Sequence, residues 1–290
     1  MKTALSSHSY SRYIRAGEMT QLAVVKLAAE AGFEGIEFTE LEPSREYAGM
    51  SLVEYARAIR AEAEKYGLEI VNYAFGANLY RDTEEEREAE IKRVCEGIDI
   101  AAELGAKFFR HDICHTHRHN GRVLTYEQML PVLADAVRRI ADYAATKGIK
   151  TCTENHGALS QDSERVEALY GAVDHPNFGI LIDMGNFVIA DEECTKAVAR
   201  LAPYAIHVHA KDFLIRPFGK NPGGWGTTRG CNYVRGTVVG EGDINVKQCI
   251  AILKKAGYEG YLAMEYEGFE DCPTGIARGL ENIKSYLAEV

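Results

Sequence analysis

Three acidic residues and one histidine, each directly after a short apolar run, are the residues of this chain best suited to act together in chemistry. The runs are residues 149–153, 178–182, 204–208 and 261–264, and the residues that follow them are Glu154, Asp183, His209 and Glu265. Short apolar runs of this kind predict β-strands. If these strands are parallel neighbours, three carboxylates and one imidazole meet at the carboxyl edge of the sheet. This donor set predicts one divalent metal ion, with Mn²⁺ as our first choice and Mg²⁺, Co²⁺ or Zn²⁺ as alternatives.

A repeated helix-to-strand joint indicates how the strands are connected. In each copy, a segment rich in Ala, Glu and Lys ends in a glycine and is followed by an apolar strand. The glycines are Gly32, Gly67, Gly105, Gly148 and Gly257. Glycine suits the left-handed residue that ends a helix. Eight strands are predicted, near residues 3–6, 34–39, 68–75, 107–112, 149–154, 178–183, 204–209 and 260–265.

Eight βα units of this size predict that residues 1–290 form a single α/β domain, a (β/α)₈ TIM barrel. A doubly wound open sheet is the alternative, but no G-x-G-x-x-G motif follows the first strand. Active sites of such barrels lie at the carboxyl ends of the strands. The four candidate metal ligands therefore stand where a barrel would place its chemistry.

One connection, residues 212–244 after the seventh strand, is much longer than the others. It is rich in glycine and contains Pro217 and Pro222. Long loops inside compact domains are usually functional or disordered. Because this one carries aromatic and basic residues, we expect an ordered lid over the barrel mouth. The alternative is a loop ordered only by a neighbouring subunit, so the loop is a candidate interface as well. The aromatic, basic and amide residues that favour an ordered lid are Arg216, Trp225, Arg229, Asn232, Tyr233 and Arg235.

The composition is that of a globular protein with an acidic surface. Lys and Arg total 33 against 43 Asp and Glu, a net charge of −10, which argues against nucleic acid as a partner. The polar start of the chain argues against a secretory signal, and no apolar stretch approaches the roughly 18 residues of a membrane span, so we expect a cytoplasmic protein with no membrane partner. The seven cysteines contain no C-x-x-C pair, which indicates reduced thiols.

Five stretches of this chain resemble one known family, the xylose-isomerase-like TIM barrels, often described as sugar phosphate isomerases/epimerases. They are residues 153–157 (TENHG), 181–186 (LIDMGN), 207–212 (HVHAKD), 240–244 (GEGDI) and 257–260 (GYEG) leading to Glu265. The resemblance implies that one divalent ion is held by Glu154, Asp183, His209 and Glu265, and that it chelates a carbonyl and a neighbouring hydroxyl of a sugar. It further implies that Glu154 and Glu265 transfer protons on opposite faces of the substrate.

Further polar residues are candidates for substrate binding. His156 lies two residues beyond Glu154 and would point the same way, as a substrate ligand or base or as a partner of the ligands. The histidine-rich loop after the fourth strand and residues at other strand ends add more candidates. We expect substrate contacts from His156, His111, His115, Lys211, Asn186, Trp225, Arg216 and Glu37. His207 is expected to pack one layer deeper.

The chain departs from the family pattern of ketose 3-epimerases at two positions, because Asn186 stands where a histidine is usual and Ile215 where an arginine is usual. The first hypothesis is an isomerase or epimerase that abstracts a proton next to a metal-bound carbonyl of a keto sugar or sugar phosphate, through an enediolate. The alternative is a lyase that dehydrates an inosose or cleaves a 3-oxo-glycoside, including a C-glycoside, by β-elimination.

Minor alternatives are an abasic-site endonuclease, which the acidic charge disfavours, and a non-enzymatic sugar-binding or scaffold subunit. We expect a small carbohydrate substrate, and the chain as a homo-oligomer or in association with a second subunit.

Overall fold

Eight parallel strands close into a barrel in this computed structural model, which describes residues 1–221 and 223–290. The strands are Lys2–Ser6, Gly35–Thr39, Glu69–Phe75, Phe108–His111, Lys150–Glu154, Phe178–Asp183, Ala205–Ala210 and Tyr261–Met264. Each pairs with its neighbours in chain order, and the first strand pairs in parallel with both the second and the eighth. The predicted (β/α)₈ barrel is confirmed, and the doubly wound alternative is wrong.

Helices cover the outside of the barrel, one after each strand. They are Gln21–Ala31, Leu52–Tyr66, Glu84–Leu104, Tyr126–Thr146, Ser163–Val173, Cys194–Leu201, Val246–Lys255 and Cys272–Glu289. Shorter helical pieces are Ser7–Tyr10, Ser11–Arg15, Arg45–Tyr47, Asn186–Ile189 and Ala202–Tyr204. Three of the long helices begin with reciprocal side-chain caps, such as Thr83 with Glu86. All five glycines of the predicted joints have positive φ, as a left-handed helix end requires. Within the described residues, none of the helices is long and apolar enough to cross a membrane.

Strand alternation sends one set of side chains to the helices and the other into the barrel. Ile180 and Ile182 of the sixth strand belong to the large apolar core under the helices, whereas Asp183 lies on the opposite face. A small cluster of Ala4, Val71, Tyr261 and Ala263 fills the barrel elsewhere. The inward positions at the carboxyl ends of the strands are polar, so this edge of the barrel is the one built for chemistry.

The long connection after the seventh strand folds into an antiparallel sheet, which we call the inserted sheet (residues 212–237). Its strands are Asp212–Arg216, Gly226–Thr227 and Tyr233–Thr237. Asp191 fastens it to the barrel by accepting hydrogen bonds from Thr228 Oγ1 at 2.7 Å and Asn232 Nδ2 at 2.9 Å. The sequence predicts an ordered connection here but does not reveal its strands. Pro222 lies outside the described residues. Its role as a lid or an interface stays a prediction.

Candidate metal centre and active site

The four strand-end residues singled out from the sequence converge at the carboxyl edge of the fifth to eighth strands. One side-chain atom from each of Glu154, Asp183, His209 and Glu265 lies within 4.8 Å of the others. His209 Nδ1 is 3.5 Å from Glu154 Oε1, 3.7 Å from Asp183 Oδ2 and 3.8 Å from Glu265 Oε2. All four side chains are nearly buried. The barrel therefore brings together the set that the spacing predicted.

The cluster has the chemistry that a divalent cation requires. Asp183 Oδ1 accepts hydrogen bonds from the backbone N–H groups of Gly185 and Asn186, at 2.7 and 2.9 Å. Its other oxygen, Oδ2, lies 3.1 Å from Lys211 Nζ, whereas His209 Nδ1 is buried without a hydrogen bond among the described residues. Buried polar atoms are rarely left unsatisfied, and one ion among three carboxylates and an imidazole would satisfy this nitrogen. The residues present thus fit a divalent metal, whose identity they leave open.

Glu37 lies beneath this cluster, and its expected role as a substrate contact is corrected. Its side chain is 2% exposed and accepts a hydrogen bond from His207 Nε2 at 2.7 Å through Oε2, while Oε1 lies 2.9 Å from His209 Nε2. Although burial favours the neutral acid, the neighbouring histidines hold the pKa of Glu37 well below its usual value. A carboxylate at Nε2 orients the ring so that Nδ1 faces the other ligands. His207 packs deeper, as expected.

Arg110 and Asp112, which the sequence analysis missed, enter the site from the fourth strand. Arg110 Nη2 lies 2.6 Å from Glu154 Oε2 and 2.8 Å from Asp112 Oδ1. Although burial favours a neutral acid, the Arg110 charge holds the pKa of Glu154 well below its usual value. Strand alternation is the signal that could have found them, because alternate residues of a strand, here Phe108, Arg110 and Asp112, point to the same face of the sheet.

His111 points to the opposite face of the strand from Arg110, and its predicted substrate contact is corrected. It is fully buried beside Phe109 on the helix side of the strand, where burial lowers its pKa to about 4. His115, also predicted to touch substrate, is exposed and does not line the cavity described below. The histidine-rich loop therefore contributes neither of the two expected contacts, since its backbone directs these rings elsewhere.

His156 and Asp112 form a pair at the rim of the site. His156 Nδ1 lies 2.8 Å from Asp112 Oδ1, and the imidazole is 46% exposed. Burial of the ring opposes protonation, but the hydrogen bond to Asp112 raises the pKa of His156 above its ordinary value. Since Asp112 occupies Nδ1, Nε2 is the nitrogen left for a ligand. This arrangement makes His156 suited to proton transfer.

Lys211 and Asn186 complete the inner site. Lys211 Nζ lies 2.5 Å from Glu265 Oε2, 3.1 Å from Asp183 Oδ2 and 3.4 Å from Glu267 Oε1. Burial favours a neutral amine, but these acids raise the pKa of Lys211 well above its usual value. Asn186 donates through Nδ2 to Glu154 Oε1 at 3.0 Å. Both residues line the cavity, so their side chains are placed to meet a ligand as well.

A cavity of about 930 Å³ opens above the cluster. Its inner wall includes Glu154, His156, His209 and Glu265, and the inserted sheet forms much of its outer wall. Two predicted contacts from the inserted sheet are corrected. Arg216 lies over the ring of Trp225, 5.6 Å from its centroid, and neither residue is among those that line the cavity in the described part of the chain. Other residues of this connection line the cavity instead. These are Gly224, Gly226, Thr227, Thr228, Arg229, Val234, Arg235 and Gly236.

Comparison with known proteins gives the same architecture. A model of the family described as xylose isomerase-like TIM barrel matches residues 25–286. The inosose dehydratase of Clostridium perfringens is 26% identical over 249 residues, which are 82% of this chain and 80% of that protein.

Two solved structures resemble this fold over almost their whole length. A structure described as IOLI protein with a binding zinc atom has a TM-score of 0.77 at 15% identity, covering 100% of this chain and 99% of that chain. D-Psicose 3-epimerase from Clostridium cellulolyticum H10, solved with D-tagatose, has a TM-score of 0.76 at 15% identity and covers 99% of each chain. At these identities the likeness concerns the fold.

Proposed function

The chain belongs to the xylose isomerase-like TIM barrel family, and we propose that within it this protein is a metal-dependent lyase that eliminates a β-hydroxyl or related substituent from a cyclic polyhydroxy ketone of the inosose type. The similarity to an inosose dehydratase over four fifths of both chains supports this choice. The sequence alone favours isomerisation over elimination, whereas this similarity favours elimination.

The observation that carries the proposal is the His156–Asp112 pair in addition to the acids of the metal cluster. A β-elimination needs a base at the carbon next to the ketone and an acid at the departing oxygen. Asp112 follows the fourth strand and Glu265 follows the eighth, and these strands lie opposite each other in an eight-stranded barrel. A ring held between them has a candidate base on one side and a candidate acid on the other.

Glu154 is less suited than Glu265 to act as the base. Both of its oxygens are engaged, Oε2 by Arg110 at 2.6 Å and Oε1 by Asn186 at 3.0 Å. A carboxylate held by a buried cation resists protonation, and Lys211 likewise lies 2.5 Å from Glu265 Oε2. The difference is that, among the described residues, only this one oxygen of Glu265 takes part in ion pairs. The geometry therefore supports Glu154 as a ligand and Glu265 as the group that moves the proton, whereas the sequence analysis gave both residues both roles.

The proposed sequence of proton movements balances without a further reagent. Glu265 takes the proton from the carbon next to the ketone, and the electron pair of that C–H bond forms the new double bond as the β C–O bond breaks. His156 gives a proton to the departing oxygen, so that a hydroxyl leaves as water, and Lys211 places positive charge beside the acids. A cation held by Glu154, Asp183, His209 and Glu265 would supply Lewis-acid polarisation of the ketone.

Epimerisation of a keto sugar is the second candidate function. Glu154 and Glu265 both line the cavity, and a D-psicose 3-epimerase shares the fold. Proton return to the opposite face would then replace loss of the leaving group.

The experiment that tests the proposal is incubation of purified protein and Mn²⁺ with 2-keto-myo-inositol, a 3-oxo-glucoside and a panel of ketoses. Elimination yields a conjugated product that absorbs in the ultraviolet, and epimerisation does not. We expect His156→Asn to keep metal binding and lower turnover by about 10²–10⁴-fold, the usual range for a general acid. Full turnover by this variant, or ketose interconversion without any absorbing product, would remove elimination as the leading function.

A further inference from the structure

The outer end of the cavity is larger than the proposed chemistry requires. Its volume of about 930 Å³ is in the range of pockets that hold drug-sized ligands. A single six-membered ring at the metal cluster leaves the space beside the inserted sheet and Phe269 unfilled. The outer wall therefore has room for a second part of the substrate.

One cation in this outer wall is not neutralised by the protein. Arg235 lines the cavity, and among the described residues the contact of its guanidinium is with the Phe269 ring, with no ion pair or hydrogen bond. The guanidinium carbon lies 3.5 Å from the centroid of the Phe269 ring, a stacking arrangement that leaves the N–H edge of the group free.

The other cations around the cavity are already paired. Arg110 contacts Glu154 and Asp112, and Lys211 contacts three acids. Arg229 Nη1 lies 3.1 Å from Asp162 Oδ2, and its Nη2 donates to the Ala158 carbonyl at 3.0 Å. These contacts use their charge within the protein, so Arg235 is the cation that remains for a ligand within the described part of the chain.

Arg235 is also held in place from behind. Its neighbour Gly236 packs so closely on the backbone carbonyl of Glu267 that a Cβ there would collide with it, and Arg235 pairs with Leu214 in the inserted sheet. Phe269, 49% exposed, provides the platform. In a chain with a net charge of −10, a fixed and unpaired guanidinium facing a cavity is not part of a general basic surface.

We propose that the substrate carries an anionic group, a carboxylate or phosphate, remote from its reacting ketone, and that Arg235 on Phe269 binds this group. The proposal rests on the proposed function only for placing the ketone at the metal cluster. A planar, fork-like guanidinium is the group best matched to such anions. The inserted sheet thereby determines substrate specificity, while the barrel determines the chemistry.

Calorimetric titration of the Mn²⁺-loaded protein with three ketoses tests this assignment. The probes are D-fructose, which is neutral, D-fructose 6-phosphate and 5-keto-D-gluconate, which place a phosphate or a carboxylate away from the ketone. We expect at least one anionic ketose to bind wild-type protein about tenfold or more tightly than D-fructose. In Arg235→Met this preference falls to about twofold or less, whereas the affinity for D-fructose is unchanged. Tighter binding of D-fructose 6-phosphate would identify the anionic group as a phosphate, and tighter binding of 5-keto-D-gluconate would identify it as a carboxylate.

Arg216→Met is the matched control, because Arg216 lies on the same sheet but outside the cavity wall, and it should keep the preference. Arg235→Lys should keep part of it. Equal binding of neutral and anionic ketoses, no binding of either anionic ketose, or a preference that survives in Arg235→Met would overturn the assignment. Failure of the lyase assay with intact anion preference would instead count against the proposed reaction alone.

Discussion

Single residues in this site differ in how firmly the surrounding protein holds them. Asp183 is fixed by two backbone N–H groups, and the carboxylate of Glu37 lies 2.9 Å from His209 Nε2, so both are suited to bind a metal. Glu265 contacts only a lysine and the imidazole among the described ion pairs. This difference in restraint, rather than residue type, separates ligands from the group proposed to move a proton.

Replacing Glu37 by Gln tests the contribution of the buried carboxylate. Glutamine keeps the shape but removes the charge facing His209 Nε2, and loss of such a partner typically weakens metal affinity by about 10–100-fold. We expect that loss in a competition titration with Mn²⁺, with the fold unchanged by circular dichroism. Glu34→Gln, at an exposed glutamate of the same region of sequence, should bind Mn²⁺ like wild type. Equal affinity in both variants would contradict the role of Glu37.

The four cluster residues could be predicted from the sequence because each directly follows an apolar run, a position that depends only on local pattern. Arg110 and His111 could not be separated by that reasoning. They are adjacent, both polar, and differ only in which face of the strand they occupy, which depends on where the barrel interior lies. The substrate contacts expected at Trp225 and Arg216 are not found in the cavity wall, because these two side chains stack on each other outside it, an arrangement that the sequence pattern does not show.

Among the elements, the third long helix, Glu84–Leu104, depends on one buried acid. Glu90 accepts hydrogen bonds from the Asn78 N–H at 2.8 Å and from Arg93 and Arg81. Burial alone would raise its pKa, but these donors lower it from 4.5 to about 2. The ionised form is therefore favoured in the folded protein, and its stabilisation is full above pH 4.5 and is lost as pH falls from 4.5 towards 2.

Glu90→Gln should lower the free energy of unfolding by roughly 1–3 kcal/mol near neutral pH, because a buried hydrogen-bonded charge is removed. The variant should also lose less stability than wild type between pH 4.5 and 2. Urea denaturation at several pH values measures both effects. Glu96→Gln, at an exposed residue 3.9 Å from Lys92, should change little, and an equal loss there would argue against this account.

The inserted sheet depends on a glycine at one close contact. In Gly236→Ala the new Cβ would collide with the Glu267 carbonyl, whereas in Gly226→Ala it would meet Val234 at an ordinary 3.7 Å. We expect the first substitution to destabilise the sheet by about 1–3 kcal/mol and to speed hydrogen exchange of residues 212–237 while barrel strands keep their protection. The second should leave exchange unchanged. Similar exchange in both variants would show that the contact is unimportant.

The sequence predicted that this connection would be ordered but not how. The aromatic residues of this connection favour an ordered structure, yet its strands are short and separated by glycine-rich segments, so their pairing is not visible as alternation. Contacts with Asp191, which precedes this connection in the chain, attach the sheet to the barrel and are also not visible in the sequence pattern. The barrel strands were predicted to within a residue or two because each is a short apolar run, and five of the eight follow a helix that ends in a glycine joint.

At the scale of the whole molecule, the proposed metal site joins four strands that are separated by up to about a hundred residues in sequence. A ligand that binds only the folded state stabilises it by about 2.7 kcal/mol at a concentration 100 times its Kd. We therefore expect Mn²⁺ to raise the melting temperature of wild-type protein by several degrees. Asp183→Asn should abolish the increase, and Asp135→Asn, at an exposed position, should retain it. A similar increase in Asp183→Asn would place the bound ion elsewhere.

The most direct test of the account is the mass spectrum of 2-keto-myo-inositol after incubation in D₂O with Mn²⁺-loaded protein. Elimination predicts a product that has lost one water, formed by wild type and nearly absent with Glu265→Gln or His156→Asn. Deuterium incorporation into the ketone without loss of water would contradict elimination and favour epimerisation. An unchanged spectrum, with the ion bound, would contradict the proposed substrate class.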